Sequence, residues 1–329
     1  MPPRAVLALH AFFPGIDMKF SFRSQQVPGW LALRQRGNEI DAAHIERRAG
    51  RLRVNLCETW RAQGGDALQA LTRLRNDKGL RRYRCTTLLG ADEYQINTLD
   101  APNVPAEELK AAARWRVKDL IDYPLETAAI GILDMPVDSS ARQHSLYAVT
   151  ARNEVIERYV RRYQAAGIGL VAIDIPEMAQ RNVAALFEEP ERGLALLSFE
   201  EAGGLLTVTF RGELYLTRRI EVPLARLLAA EGAARMQLYE RITLEVQRSL
   251  DHVDRQFSFM TLSRFLLAPL PQDNGLADYL AANISLRLDR ADIAEVLDCG
   301  GIPELTDPAR QGFCLQMLGA ALRDDGAAA

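Results

Sequence analysis

The sequence predicts a two-lobed α/β protein in which each lobe opens with a three-stranded antiparallel meander. The first observation is the stretch Leu194 to Glu221, LALLSFEEAGGLLTVTFRGELYLTRRIE. Its apolar run Leu194–Phe199 meets a turn over Glu200–Gly204 and then a second run, Leu205–Phe210. Arg211-Gly212 joins that run to a third, Glu213–Thr217. Short β-rich runs joined by two residues ending in glycine form a tight hairpin. The second observation is the same rhythm from Pro28: a strand over Trp30–Gln35, a turn at Arg36-Gly37-Asn38, then strands over Glu39–Ile45 and Arg51–Leu56. The third is the break at Glu189-Pro190-Glu191 in a chain of 329 residues, long enough for two separate cores.

Between the meanders the elements follow in order. Gly64-Gly65 close the first meander. Asp66 N-caps a helix whose apolar spacing runs from Ala67 to Leu74 and which ends at Lys78-Gly79. Strands follow at Tyr83–Leu89 and Tyr94–Leu99. A helix over Glu107–Asp122 stops at Tyr123-Pro124, because proline disfavours helix at the residue before it. Strands over Thr127–Asp134 and Ser145–Thr150 flank a polar loop, Asp138–Gln143. A helix spans Asn153–Ala166, a strand Gly169–Ile175, and Pro176 opens a helix to Phe187. Past the second meander, Tyr239, Ile242, Val246, Leu250, Val253 and Phe257 make one apolar stripe on a helix over Ala233–Met260. Ser263–Leu267 and Ser285–Leu288 read as strands, Gly275–Asn283 and Asp307–Leu322 as helices.

Composition excludes several classes. A net charge of −3 leaves no electrostatic footprint for nucleic acid. Cys57, Cys85, Cys299 and Cys314 form no CxxC pair and read as buried or half-buried thiols in a reducing compartment. His10, His44, His144 and His252 form no cluster, so no metal site is expected. No apolar run reaches the ~18 residues needed to span a bilayer. Arg4 before Ala5–Phe13 imitates a signal peptide but lacks a cleavage site. Met18 begins a natural start, MKFSFR, which leaves the first 17 residues as an extension.

Five stretches in order resemble the PilM-like family of type IV pilus assembly proteins, and through it the actin-like fold. They are ARWRVKDLIDYPLE (Ala113–Glu126), SLYAVTARNEVIERYVRRYQAAGI (Ser145–Ile168), DIPEMAQRNVAAL (Asp174–Leu186), VQRSLDHVDRQF (Val246–Phe257) and NGLADYLAANISLRL (Asn274–Leu288). Within that family the short chain resembles the branch of MSHA-type pili. The resemblance implies an actin-like (ribonuclease H-like) fold with an inserted α/β subdomain and a reduced second lobe. Residues 28–92 and 168–190 would form the first lobe, 93–167 the insertion and 191–323 the second lobe. Residues 1–27 would be a disordered extension and 324–329 a tail. Only Val222–Ala234 separates the second meander from the long helix, room for about one helix at ~1.5 Å per residue.

The nucleotide motifs of actin-like ATPases are degraded at four places in this chain. The first hairpin, Leu31–Asn38, has neither the Asp of D-x-G nor a lysine. The second D-x-G aligns with Ser198-Phe199-Glu200, where serine supplies no carboxylate and Glu200 puts a side chain and a charge where phosphate approaches. The following glycine pair is Pro223-Leu224, and the adenosine-side pair is Ala268-Pro269. Phosphoryl transfer rests on positioning and charge stabilisation by such groups. The expectation is therefore no catalytic residue, no resident cofactor, and ATP and magnesium only as weak binders. Gly203-Gly204 reads as a turn rather than a phosphate loop. Asp119 and Asp122 read as solvated, and Glu245 as a helical ion-pair partner of Arg248 or Arg241.

The resemblance also implies a partner: the cytoplasmic N-terminal segment of a bitopic inner-membrane pilus protein (PilN-like or MshJ-like), bound in a groove or along a sheet edge. The protein would be cytoplasmic and held at the inner membrane through that partner. Trp115, Tyr123, Pro124 and Leu125 are the candidate contact residues, although an aromatic on a helix is more often part of a core. The competing functions are an actin-like ATPase of pilus assembly and a cytoplasmic platform component of a type II secretion system. Fold alone does not choose among them.

Overall fold

A computed structural model describes residues 26–48, 50–62, 66–105, 108–136 and 144–323. The N-terminal extension, the Gly64-Gly65 turn, the polar loop from Asp138 and the C-terminal tail lie outside the described residues. The described residues form two compact units: those up to 44, within 58–176 and Arg323, and those within 45–57 and 177–322.

The first five-stranded sheet has the order β3-β2-β1-β4-β8. Its strands are β1 (Trp30–Arg36), β2 (Glu39–Arg48), β3 (Arg51–Arg61), β4 (Arg84–Leu88) and β8 (Leu170–Asp174). Trp30, Leu31, Ala32 and Leu33 are all buried, as a central strand covered on both faces requires. β4 pairs parallel to β1, and β8 parallel to β4. Helix α1 (Ala67–Asp77) makes the first crossover; Asp66 caps it by accepting from the Leu68 and Gln69 N–H groups.

Between β4 and β8 the chain inserts a three-stranded antiparallel sheet, β5 (Tyr94–Asp100), β7 (Ser145–Arg152) and β6 (Ala128–Met135), in that order. Helix α2 (Leu109–Val117) covers one face, with Val117 in a cluster with Leu99 and Ala148 and with Ile121, Ile130 and Ile132 against it. This helix is shorter than its apolar pattern suggests. Lys118 N–H donates to Trp115 and Leu120 N–H to Val117, so the chain tightens into i→i+3 turns before Pro124 is reached.

Helix α3 (Asn153–Ala165) returns the chain to β8. The sequence boundaries put it in the insertion, and it packs on the insertion strands β6 and β7 as well as on β8 of the first sheet. Tyr163 Oη donates to the Leu33 carbonyl at 2.7 Å and accepts from the Thr87 hydroxyl at 3.1 Å. Glu93, at the entry to the insertion, accepts from Gly90 N–H, Arg158 and Tyr159 Oη. Burial alone would raise the Glu93 carboxyl; these hydrogen bonds outweigh it and hold the group below its ordinary value. Asp174, at the end of β8, is buried and paired with Arg323 at 2.7 Å.

The second five-stranded sheet repeats the first, with the order β11-β10-β9-β12-β13. Its strands are β9 (Gly193–Glu200), β10 (Gly203–Phe210), β11 (Glu213–Ile220), β12 (Leu262–Leu267) and β13 (Arg287–Arg290), the last starting two residues beyond Ser285. β9 and β10 are antiparallel, while β12 and β13 add in parallel, as β4 and β8 do. Between β11 and β12 lie only α5 (Leu224–Ala229) and the long α6 (Gly232–Gln256). The buried residues of α6 include Tyr239, Ile242, Val246, Leu250 and Val253, the stripe read from the sequence; α7 (Leu276–Asn283) connects β12 to β13.

Helices α4 (Pro176–Phe187) and α8 (Pro308–Ala321) complete the second unit. By compactness the chain divides after residue 176 rather than at Glu189–Glu191: most of α4, Glu177–Arg181 with Val183, Ala184 and Phe187, is buried, and Gln180 bonds it to the second sheet. The two helices touch backbone to backbone. A Cβ on Gly319 would lie 2.1 Å from the Ala179 carbonyl oxygen, and Asn182 Nδ2 donates to the Gly319 carbonyl at 2.9 Å. Gly319→Ala must therefore push the helices apart, and a loss of about 2 kcal/mol or more is expected. Thermal unfolding checks this: the midpoint falls well below that of a Gly→Ala change at the open Gly301 site.

Candidate functional site

Two regions carry the candidate residues, one in each unit. In the second unit, Ser198 lies near the end of β9 and is buried. Its hydroxyl donates to Gln180 Oε1 at 2.5 Å. Gln180 Nε2 in turn lies 2.9, 2.9 and 3.0 Å from the carbonyls of Leu196 and Leu205 and from Thr207 Oγ1, which share its two N–H donors. Gln316 of α8 also donates to Gln180 Oε1, at 3.3 Å. The residue aligned with a metal-handling aspartate is thus part of a buried amide–hydroxyl network that fastens α4 and α8 to the sheet.

Glu200 ends β9 half-buried, opposite Gly203 across the turn Glu201-Ala202. Gly203 has φ +127°, and a Cβ there would lie 2.6 Å from the Ile220 carbonyl, so this glycine admits the end of β11.

At the adenosine-side position, Ala268 is buried and its N–H donates to the Leu197 carbonyl at 2.8 Å. α8 crosses Pro269 so closely that a Cβ on Gly312 would lie 2.0 Å from the Pro269 oxygen. Both residues border a pocket of about 220 Å³, also lined by Asp273, Asn274, Arg290 and Gln311. That is below the ~300 Å³ at which pockets for drug-sized ligands begin. Its polar groups are largely engaged. Arg290 binds Asp273 at 2.8 Å and, with the Gly275 N–H, holds that carboxyl below its ordinary value. Gln311 donates to Asp292 and to the Leu305 carbonyl and accepts from Ile293 N–H.

In the first unit, the hairpin at Gly37-Asn38 is flanked by paired charges. Arg36 donates to the buried Asp41 at 2.6 Å, and Thr59 Oγ1 donates to the same carboxylate at 2.9 Å. Among the described residues no group of three or more His, Cys, Asp or Glu could hold a metal ion. Nor is any described helix long and apolar enough to cross a membrane.

The four candidate contact residues have different surroundings. Trp115 is 70 % exposed on the face of α2 opposite Ala113 and Val117. Tyr123 is half-buried, with the Arg152 guanidinium 4.3 Å from its ring centre and Arg152 also 3.5 Å from Asp122. Pro124 is exposed, and its carbonyl accepts from the Thr127 N–H and hydroxyl. Leu125 is only 9 % exposed and belongs to the core, its carbonyl accepting from Arg114. Trp115 and Pro124 are thus available at the surface, Tyr123 in part, and Leu125 is not. Gln180 and Gln316 were not singled out from the sequence. The signal for both is an amide set among small and apolar residues, in MAQRNVAAL and FCLQMLGAA.

Two sheets of identical strand order, each a meander extended by two parallel strands, with an antiparallel insertion after the first β4 crossover, define an actin-like α/β fold. No protein-family model matches the chain, and no curated protein sequence matches it. Among solved structures, the PilM-PilN type IV pilus biogenesis complex is similar with a TM-score of 0.69 at 18% identity, over 91% of this chain and 98% of that one. The cytoplasmic domain of EpsL, an inner-membrane component of the type II secretion system of Vibrio cholerae, has a TM-score of 0.48 at 13% identity, over 85% and 94%. A Bacteroides thetaiotaomicron protein of actin-like ATPase fold and unknown function has 0.44 at 9%, over 84% and 95%.

Ser198→Asp tests the buried network. The new carboxylate faces Gln180 Oε1; if the amide turns over, the Leu196 and Leu205 carbonyls face an oxygen instead. Either arrangement leaves a buried charge or acceptors without donors, and a loss of about 3 kcal/mol or more is expected, against about 1 kcal/mol for Ser198→Ala. Thermal or urea unfolding of the two variants gives the comparison.

Proposed function

We propose that the chain is a non-catalytic scaffold of type IV pilus assembly, of the MshI branch that serves MSHA-type pili. It docks on the cytoplasmic N-terminal segment of a PilN-like or MshJ-like inner-membrane protein and is held at the membrane from the cytoplasmic side by that partner. The observation that carries the non-catalytic part is Ser198. Where an actin-like ATPase needs a free carboxylate, this chain has a hydroxyl bound to Gln180 inside a packed unit. The four degraded motifs and the fold likeness to the PilM-PilN complex support the rest. For docking, exposed Trp115 is the anchor and Pro124 its neighbour along the chain, with Tyr123 positioned by Arg152.

Titration calorimetry with a peptide of the partner's cytoplasmic segment tests the docking. Trp115→Ala should weaken binding by about 2 kcal/mol, roughly thirtyfold, with an unchanged melting temperature, because an exposed ring contributes little to the fold. Leu125→Ala should instead lower stability by about 2–3 kcal/mol. Full peptide affinity in folded Trp115→Ala protein overturns the docking assignment.

A second experiment addresses catalysis. The Ser198→Asp/Glu200→Gly variant restores one D-x-G but neither the first hairpin nor the adenosine-side glycines, and no ATP turnover is expected. Micromolar magnesium-ATP binding by the wild-type chain, measured by calorimetry, favours the ATPase reading instead.

A further inference from the structure

The tip of the β2–β3 hairpin is strongly cationic; residues 78–84, KGLRRYR, are equally so, but there Lys78 is paired with Glu58 and Arg84 lies over the Trp30 ring. Residues 47–53, RRAGRLR, hold four arginines and no acid. The whole chain has 40 Lys and Arg against 43 Asp and Glu, so without these four the excess of acids grows to seven.

Geometry separates this spot from an ordinary solvated face. Arg47, Arg48 and Arg51 are exposed, and no hydrogen bond or ion pair engages them among the described residues. Arg53 is half-exposed and lies 4.0 Å from Asp298, a loose pair. Alternation along β3 puts Arg51, Arg53 and Asn55 on one side of the ribbon, and all three are exposed. Asn55 donates to Glu46 on β2, so Arg48, two residues beyond Glu46, shares that side. Three guanidiniums therefore face one way, with Arg47 on the other side. β2 and β3 have 10 and 11 residues against 7 in β1, so the tip runs past the end of its neighbour.

The ribbon is also held in place. Val54 N–H donates to the Asp298 carbonyl at 2.9 Å, and Asp298 N–H donates to the Leu52 carbonyl at 2.8 Å. The edge of β3 just behind the tip is thus paired, which fixes the direction of the arginines and blunts the edge against strand addition.

We propose that this arginine tip is a contact for an anionic lipid surface. Guanidinium groups pair with phosphate in a bidentate fork, and clusters of exposed cations bind acidic headgroups additively. A hairpin tip that carries several exposed guanidiniums suits a plane of phosphates. Residues 45–57 contain no aromatic side chain, so the stacking platform on which single-stranded nucleic acid depends is missing. This contact goes beyond the docking on a membrane partner: it needs no partner and would orient the chain at the bilayer.

Vesicle co-sedimentation of the purified full chain, with no partner present, is the test. Vesicles of equal parts phosphatidylcholine and phosphatidylglycerol should capture the protein, and phosphatidylcholine alone should not. Capture should fade as salt shortens the Debye length below ~10 Å. R47E/R48E/R51E should lose at least about tenfold in affinity, since each cation contributes roughly fivefold. R47K/R48K/R51K should retain binding, and R192E/R218E/R226E, which moves the net charge equally elsewhere, should stay within about threefold of wild type. Circular dichroism checks that each variant is folded. Absence of capture by phosphatidylglycerol vesicles overturns the proposal, as does equal capture of wild type and R47E/R48E/R51E. An affinity for a single-stranded RNA oligonucleotide equal to that for the vesicles overturns the choice of lipid. A failure here leaves peptide binding at Trp115 untouched.

Discussion

The amide of Gln180 joins two helices and the sheet of the second unit through one side chain. From α4 it reaches two carbonyls and a hydroxyl on β9 and β10, and it receives Ser198 from β9 and Gln316 from α8. In a buried setting such a network is rigid only when its members are satisfied, and each lost member leaves others unpaired. The seating of both long buried helices on the sheet depends on it. So does the state of Ser198, whose single hydroxyl proton is committed to Gln180 Oε1.

Much of the architecture was legible from pattern alone. The meander at Leu194–Thr217 and the stripe on α6 are periodic over many residues, and period is what burial imprints on sequence. The actin-like topology followed from the order of such elements. Less legible was which sheet an amphipathic helix serves. The apolar face of Asn153–Ala165 is equally compatible with the insertion and with the first sheet. It touches both, and the Tyr163 hydroxyl, bonded to Leu33 and Thr87 far away in sequence, is a tie to the first sheet that periodicity does not reveal. In the same way Pro190 looked like a boundary because it breaks the chain locally. The division into units lies earlier because α4 is bound on its inner side by a glutamine whose partners are remote in sequence.

The candidate contact residues show the same limit at the scale of single side chains. Trp115 and Leu125 are both apolar and lie ten positions apart in one matching motif. One is exposed because α2 presents Ala113 and Val117 to its sheet; the other is enclosed because the chain turns inward after Pro124. Hydropathy could not separate them, and the point at which α2 unwinds does. The arginine tip was likewise visible as letters, but interleaved charges along the rest of the chain concealed that these four have so little acid near them.

The close approach of α8 to α4 at Gly319 has a consequence for how this chain can change over time. A helix rotates by about 100° per residue, so one insertion or deletion between Pro308 and Gly319 would carry the glycine away from the Ala179 carbonyl and bring a side chain in its place. The length of that segment is therefore quantised by backbone contact, whereas the stretch between β11 and α6 has no such constraint and is free to grow or shrink. Lineages of this fold should differ in the size of that second connection while keeping the spacing of α8 fixed.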